Sequence, residues 1–226
     1  DAWGVVDLDE YARRLTPDVF LASVMLANNE TGFVLPVQEM AALACAKGIP
    51  FHTDAVCAVG KWLIDFQELG ADFLTFSSHK FGGLKGVGGL ICKREVKLEP
   101  LLHGGPQEVE KRAGTENLPG IVSTVFALEK SLQGLGSELD RQRFLRKKLK
   151  LRIQEVFPQV RFNESETNLP QTLNASFVGL DGNLLLTNLD LENVSASYGS
   201  ACASGSLEIS HVMKNLVLNL DEAGSS

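Results

Sequence analysis

The first part of the chain consists of short apolar runs separated by turn residues. The run from Phe20 to Leu26 is almost continuously apolar, which predicts a strand buried on both faces. A helix at 37–47 is indicated by apolar residues at helical spacing, followed by Gly48 and Pro50. The remaining predicted elements are strands at 49–53, 71–77 and 87–93 and a helix at 64–69. Their alternation predicts an α/β fold with a largely parallel sheet and helices on its faces.

The pattern changes after about residue 134. Gly134 and Gly136 flank Leu135, and a charged amphipathic helix then runs to about Phe157. Further short elements are predicted after it, with strands at 160–163 and 173–178 and helices at 183–189 and from Leu207. We therefore expect a large domain at 1–134 that holds the sheet and a smaller α+β domain at 135–226.

Composition is that of a folded globular protein, with 44% hydrophobic and 22% charged residues. The net charge of −7 provides no basic field, so we expect no nucleic-acid partner. No apolar run approaches the roughly 20 residues that span a bilayer, and the start lacks the features of a signal peptide, so we expect a soluble protein without a membrane segment. The four cysteines form no CxxC pair, which favours reduced thiols and a cytoplasmic location.

An acid and a lysine follow two of the predicted strands. Asp54 comes directly after the strand at 49–53, and Lys80 comes after the strand at 71–77. Carboxyl ends of parallel strands form the ligand crevice of open α/β sheets, so both side chains are expected at one crevice. Such a pair suits pyridoxal 5'-phosphate (PLP), which needs an amine for its aldehyde and a carboxylate for its ring nitrogen. From spacing alone, a surface lysine and a helix-capping aspartate remain the alternative.

Four sequence segments, taken in order, bear on whether Asp54 and Lys80 form a PLP site. They are SVMLANNETG (23–32), FHTDA with VGK (51–61), SSHKFGG (77–83) and RAGTEN (112–117). Together they resemble the cysteine desulfurases of the NifS and IscS type, which are PLP enzymes of fold type I in the class-V aminotransferase family. The resemblance extends from near Asp7 to near Asn219. It implies a PLP-transferase-like large domain, here incomplete, and PLP as the cofactor.

The resemblance also implies roles for individual residues. Lys80 is expected to bond the cofactor covalently, Asp54 to pair with the pyridinium nitrogen, and Asn29 to lie near the cofactor's phenolic oxygen and the substrate carboxylate. Ser77 and His79 match positions that hold the phosphate, which suits a hydroxyl and an imidazole.

Thr115 matches a residue that reaches the phosphate of the neighbouring subunit in dimeric relatives. The resemblance therefore implies a homodimer in which part of each cofactor site comes from the partner.

Cys202 lies among small residues, between Ser197 and Ser206, that predict an exposed, mobile loop. Its setting resembles the loop whose cysteine takes sulfur from PLP-bound L-cysteine, leaving L-alanine and a persulfide. The implied function is that of a PLP-dependent cysteine desulfurase, which is a sulfurtransferase. It would supply sulfur to an acceptor protein such as an iron–sulfur scaffold, or to thio-cofactor synthesis. By contrast, Cys45 and Cys92 lie in apolar patterns and are expected to be shielded.

Three departures from the family leave alternatives open. Cys57 stands where relatives carry Gln, and a thiol is a poor substitute for the amide's hydrogen bond to the cofactor. The alternative interpretation is that Cys57 is a small residue that only fills space after the strand. Relatives also continue beyond both ends of this chain, which begins with Asp1, so we expect a fragment or a processed product. A selenocysteine lyase or related lyase on the same scaffold, or a non-catalytic scaffold fragment, are the alternative functions.

Two features have simpler interpretations. The region 137–155 is rich in basic residues, which indicates a solvated helix face, with docking of an acidic sulfur acceptor as the alternative. His103 has no second His or Cys at ligand spacing, so no metal site is expected.

Overall fold

A computed structural model of the chain describes residues 6–198 and 210–216. The strands are β1 (Ala22–Met25), β2 (Phe51–Asp54), β3 (Phe73–Ser77), β4 (Gly88–Cys92), β5 (Arg161–Phe162) and β6 (Ala175–Ser176). The helices are α1 (Leu8–Arg14), α2 (Val37–Ala46), α3 (Phe66–Leu69), α4 (Gln107–Glu110), α5 (Leu118–Leu132), α6 (Leu135–Val156), α7 (Gly182–Leu191) and α8 (His211–Asn215). A 3-10 turn, Ser78–Phe81, follows β3 directly. Among these helices, none has the length and apolar character needed to cross a membrane.

The main sheet has the strand order β1-β2-β3-β4. β1, β2 and β3 are parallel, as the alternating pattern predicts, but β4 pairs antiparallel with β3. A parallel connection needs a crossover of about a dozen residues or more. The 3-10 turn and the bend at 82–87 are too short for one, so the chain reverses and the sheet is mixed.

Helix α2 covers part of this sheet, because it packs against β1, β2 and α3. Its buried positions, Val37, Met40, Ala41 and Ala44, form one stripe at helical spacing. Phe51 of β2 and Leu74 of β3 are almost completely buried, and burial of such a side chain stabilises a fold by about 2 kcal/mol. The apolar pattern at 37–47 therefore corresponds to a helix that covers a sheet face.

The predicted burial of β1 on both faces is wrong. Ala22 is buried, but Ser23 is exposed and Met25 is 39% exposed. Phe20, just before the strand, is 89% exposed. Helix α2 packs against β1, and Ser23 and Met25, which alternate with the buried Ala22, share the exposed face of the strand.

The predicted shielding of Cys45 is also wrong, because its thiol is exposed in the last turn of α2. The buried stripe ends at Ala44, and the next position is rotated by about 100° around the helix. Cys57 and Cys92 are half-buried.

Helix α5 has no counterpart among the predicted elements. Asn117 caps it by accepting a hydrogen bond from the Gly120 N–H (3.1 Å), and Pro119 stands in its first turn, where proline is tolerated. Apolar side chains such as Val122 and Phe126 are exposed, so the sequence of this helix lacks the separate polar face by which an amphipathic helix is recognised. The helix packs on the 3-10 turn after β3.

The chain divides into two compact units. The sheet unit comprises residues 12–25 and 37–135. The second unit comprises Leu26–Pro36 with the described parts of 1–11 and 136–226. The domain division at 134/135 stays a prediction.

The second unit has its own small core of Phe33, Met213 and Leu216. It also contains the antiparallel β5–β6 hairpin. Phe157 and Phe177 contribute an aromatic contact, with ring centroids 5.7 Å apart.

We predict that Gly88→Ala destabilises the protein by about 1–3 kcal/mol, because a Cβ at this position would lie 2.6 Å from the carbonyl oxygen of Phe76. The clash is with backbone, so a side-chain rotation cannot relieve it. Gly136→Ala is the control, since a Cβ there meets no atom within 4 Å and alanine favours the helix. Urea unfolding measures both variants. Equal stabilities for the two would contradict the close strand approach.

We also predict that a limiting alkylating reagent modifies Cys45 before Cys57 and Cys92, because only Cys45 of these three is exposed. Peptide mass mapping after partial reaction gives the order. Preferential labelling of Cys92 would show that the end of α2 is covered.

Candidate active site

The carboxyl ends of β2 and β3 bring several of the predicted site residues together. β2 ends with Asp54 and β3 ends with Ser77, and the parallel register pairs Asp54 with Thr75. Lys80 and His79 belong to the 3-10 turn that begins directly after β3. Asp54, Ser77, His79 and Lys80 therefore lie at the same edge of the sheet, which is the position of ligand sites in open α/β folds.

The 3-10 turn that carries Lys80 is tightly anchored. The Ser78 N–H donates to the Val87 carbonyl (3.0 Å), and the Ser78 carbonyl accepts from the Gly83 N–H (3.0 Å). Gly82 ends the turn in the left-handed region, with a φ of 96°. A Cβ on Gly83 would lie 1.9 Å from the Ser78 Oγ. The glycine pair after Lys80 thus permits a reversal that larger residues would obstruct.

Asp54 is exposed at the strand end, and one of its carboxylate oxygens accepts a hydrogen bond from the Val56 N–H (2.8 Å). This bond orients the carboxylate relative to the strand. Two residues earlier, the His52 ring contacts the Ser23 hydroxyl (2.7 Å) and the Thr75 hydroxyl (3.1 Å). These contacts join the three parallel strands on the face that carries Asp54, because alternate residues of a strand share a face.

Ser77 and His79 form a direct pair, with 2.9 Å between the Ser77 Oγ and the His79 Nδ1. Ser77 is half-buried and His79 is exposed. A hydroxyl and an imidazole can both donate hydrogen bonds to an anion, and they stand here at the start of the turn that carries Lys80. The geometry is compatible with a phosphate contact.

Lys61 is a second lysine close to Lys80. Burial lowers the pKa of Lys61, a nearby Cys57 acts in the opposite direction, and the charge of Lys80 lowers it further. Gly60, which precedes it, has a φ of 75°, and a Cβ there would lie 2.6 Å from the Phe81 Cβ. The segment after Asp54 therefore packs closely on the lysine turn and brings Cys57 and Lys61 into its neighbourhood.

Thr115 is exposed in the segment before α5. The backbone of the preceding Gly114 is held from two sides, because its N–H donates to the Gln107 side chain (3.1 Å) and its carbonyl accepts from Arg112 (2.7 Å). Val109, in the adjoining α4, has a φ of 55°, an unusual left-handed conformation for a β-branched residue. A constrained loop thus presents Thr115 on the surface of the sheet unit.

Asn29 belongs to the second unit. Its neighbour Asn28 is buried and uses its side-chain oxygen to accept from the N–H groups of Glu30 and Thr31 (both 2.9 Å). Gly32 completes the turn at a φ of 75°, and a Cβ there would lie 2.7 Å from the Thr172 Cβ. The NNETG motif accordingly forms a rigid turn that leaves Asn29 exposed.

The basic residues of α6 are largely paired within the second unit. Arg141 contacts Glu138 (2.6 Å), and this ion pair lowers the pKa of Glu138 to about 2. Glu164 receives both Arg146 (2.6 Å) and Lys150. These contacts favour the interpretation of α6 as a solvated helix face over a docking surface for an acidic partner.

Two further sequence predictions concern Cys202 and metal binding. Cys202 lies outside the described residues. Within 6–198 and 210–216, no cluster of three or more His, Cys, Asp or Glu side chains has the arrangement of a metal site.

Residues that the sequence analysis did not single out include Ser78, His52 and Lys61. Each lies inside a motif, but the signal for its role is contact with other segments of the chain. Spacing along the sequence does not reveal such contacts.

Comparison with known proteins agrees with the fold and the motifs. The aminotransferase class-V model matches residues 1–218. Cysteine desulfurase IscS of Dictyoglomus turgidum is 42% identical over 227 residues, which cover all of this chain and 58% of the relative. Cysteine desulfurase NifS of Azotobacter vinelandii is 45% identical over 215 residues, covering 95% of this chain and 54% of the relative.

A solved NifS-like protein superimposes with a TM-score of 0.89 at 32% identity. The match covers the whole of this chain and 59% of that structure. The predicted α/β class and PLP-transferase-like fold are confirmed. The chain spans little more than half the length of the curated relatives that it matches, and it belongs to the class-V aminotransferase family.

Proposed function

We propose that the protein containing this chain is a PLP-dependent cysteine desulfurase, which converts L-cysteine to L-alanine and collects the sulfur as a persulfide on Cys202. The observation that carries the proposal is the meeting of Asp54 and Lys80 at one edge of the sheet, in a class-V aminotransferase chain. The names of the two curated relatives supply the reaction.

The described residues fit the chemical groups of PLP. The Lys80 amine matches the aldehyde, the Asp54 carboxylate matches the ring nitrogen, and the Ser77–His79 pair offers donors for the phosphate. When bound, PLP supplies an electron sink that weakens bonds next to the substrate's amino group.

Each predicted site residue has a distinct task in this proposal. Lys80 would hold the cofactor covalently through its amine, and the same amine would serve to move a proton on the bound substrate. Asp54 keeps a proton on the ring nitrogen, because its negative charge stabilises the protonated form. Asn29 binds near the phenolic oxygen and substrate carboxylate, and Thr115 contacts the phosphate of a second subunit.

Cys202 is the sulfur acceptor within the protein. Its thiolate attacks the sulfur atom of the substrate, the carbon–sulfur bond breaks, and carbon gains a proton. L-Cysteine and one protein thiol thus give L-alanine and one protein persulfide, with no external oxidant or reductant. The outer sulfur can then pass to an acceptor thiol.

Cys57 changes the cofactor's surroundings relative to the Gln of the family. The half-buried thiol lies near Lys61 and is a weaker hydrogen-bond donor than an amide. The weaker donor supports a PLP phenolic oxygen that is held less tightly than in relatives with Gln at this position.

The alternatives have less support. The matched relatives are cysteine desulfurases by name, which does not favour a selenocysteine lyase. A non-catalytic scaffold would have no use for Lys80 and Asp54 at one sheet edge.

We extend the proposal to the cellular setting. A homodimer is supported by Thr115, exposed on its constrained loop. Delivery to a sulfur-acceptor protein, such as an iron–sulfur scaffold, follows from a persulfide product. Cys45, Cys57 and Cys92 are free thiols, which supports a reducing compartment such as the cytoplasm.

We predict that Lys80→Ala abolishes covalent PLP attachment, because no other amine lies in the turn after β3. Borohydride reduction followed by peptide mapping identifies the modified lysine. Lys85→Ala is the matched control from the neighbouring bend and should retain the label. Attachment to Lys61 or Lys85 in the wild-type protein would refute the assignment.

The proposed function is tested directly by Cys202→Ser. Incubation of the wild-type protein with PLP and L-cysteine should form L-alanine and add one sulfur atom to Cys202, removable by a reductant. Cys202→Ser should keep the PLP attachment but gain no sulfur, whereas Cys45→Ser should behave as wild type. Intact-protein and peptide mass spectrometry give the result. A persulfide on Cys57 with Cys202 unmodified would move the acceptor role to Cys57.

A further inference from the structure

Ser78 is the one residue between Ser77 and His79, and it is fully buried. Its Oγ lies 2.9 Å from the Oγ1 of Thr124 on α5. Its backbone bonds to Val87 and Gly83 in the bend that follows the turn. Ser78 is therefore held by hydrogen bonds from its side chain and from both backbone groups.

Thr124 connects this residue to the first turn of α5. The Thr124 Oγ1 lies 2.8 Å from the Gly120 carbonyl oxygen as well as 2.9 Å from Ser78. A hydroxyl carries one hydrogen, so when Thr124 donates to the carbonyl, Ser78 donates to Thr124. The Gly120 N–H donates in turn to the Asn117 side chain at 3.1 Å. A chain of hydrogen bonds thus runs from Asn117 to Ser78.

The two ends of this chain lie beside predicted site residues. Asn117 follows Thr115 by two positions, and Ser78 precedes Lys80 by two positions. Gly120 makes the close approach possible, because a Cβ there would lie 2.3 Å from the Val87 Cγ2. Helix α5 therefore links the segment of the predicted phosphate contact to the turn that carries the lysine.

Ser78 is fully buried and Thr124 is half-buried, so an apolar pair in the same space would avoid the cost of removing these hydroxyls from water. Buried polar groups stabilise a structure only modestly when paired, but their directional bonds select one geometry. The hydroxyl pair thus restricts the direction in which the turn leaves β3.

We propose that Ser78 and Thr124 are positioning residues of the active site, which hold the 3-10 turn against α5 and so direct Lys80 toward the cofactor. The inference rests on the proposed function, because it assumes that Lys80 bonds PLP. It assigns a role to a helix that contributes no predicted catalytic group.

The test compares Thr124→Val, which removes the hydroxyl at nearly constant volume, with Thr124→Ser, which retains it. An amine-labelling reagent is applied without PLP, and mass spectrometry gives the labelling ratio of Lys80 to Lys148, an exposed lysine of α6. We expect Thr124→Val to change this ratio by about fivefold, the effect of one hydrogen bond, and Thr124→Ser to keep the wild-type ratio.

A second measurement is the affinity for PLP, from absorbance titration of the same proteins. We expect about a fivefold loss in Thr124→Val and none in Thr124→Ser. If Thr124→Val does not fold, Ser78→Ala replaces it in both measurements.

Two outcomes overturn the inference. One is an unchanged Lys80 to Lys148 ratio in a folded variant without the hydroxyl, even if its thermal stability falls. The other is a Thr124→Ser variant that behaves like Thr124→Val. A wild-type protein that binds no PLP would contradict the proposed function instead, while the labelling ratio would still show whether the hydroxyl pair positions Lys80.

Discussion

The parallel pairing of β2 with β3 is the constraint on which the candidate site depends. Parallel strands end at the same edge of a sheet, so the register of Asp54 with Thr75 brings an acid and a lysine turn together although they are far apart in sequence. A slip of one residue would move Asp54 to the opposite face. The contacts of His52 with Ser23 and Thr75 tie three strands together and oppose such a slip.

Much of this arrangement could be predicted from the sequence because its signals are local. Apolar runs indicated the strands of the sheet, and the positions of Asp54 and Lys80 after two of them indicated a shared edge. Features that depend on contacts between distant segments were predicted less well. The exposure of Cys45 depends on where α2 stops contacting the sheet, and that of Met25 depends on which face of β1 is covered.

Helix α5 shows the same limit for the site itself. Its sequence contains Gly120, several β-branched residues and apolar side chains on more than one face, so its pattern did not stand out as an amphipathic helix. Its relation to the lysine turn rests on single contacts, such as Thr124 with Ser78. The family motifs name the residues that touch ligands, whereas the residues that hold them in place become visible only in three dimensions.

The antiparallel return of β4 has a consequence for the order in which the protein folds. β3, the lysine turn and β4 form a local hairpin, whereas the parallel pairs need the helical crossovers at 26–50 and 55–72. Closing a short loop costs less chain entropy than closing a long one, and local contacts form faster. The segment around Lys80 can therefore acquire its structure early, and the later docking of β2 brings Asp54 to a lysine turn that already exists.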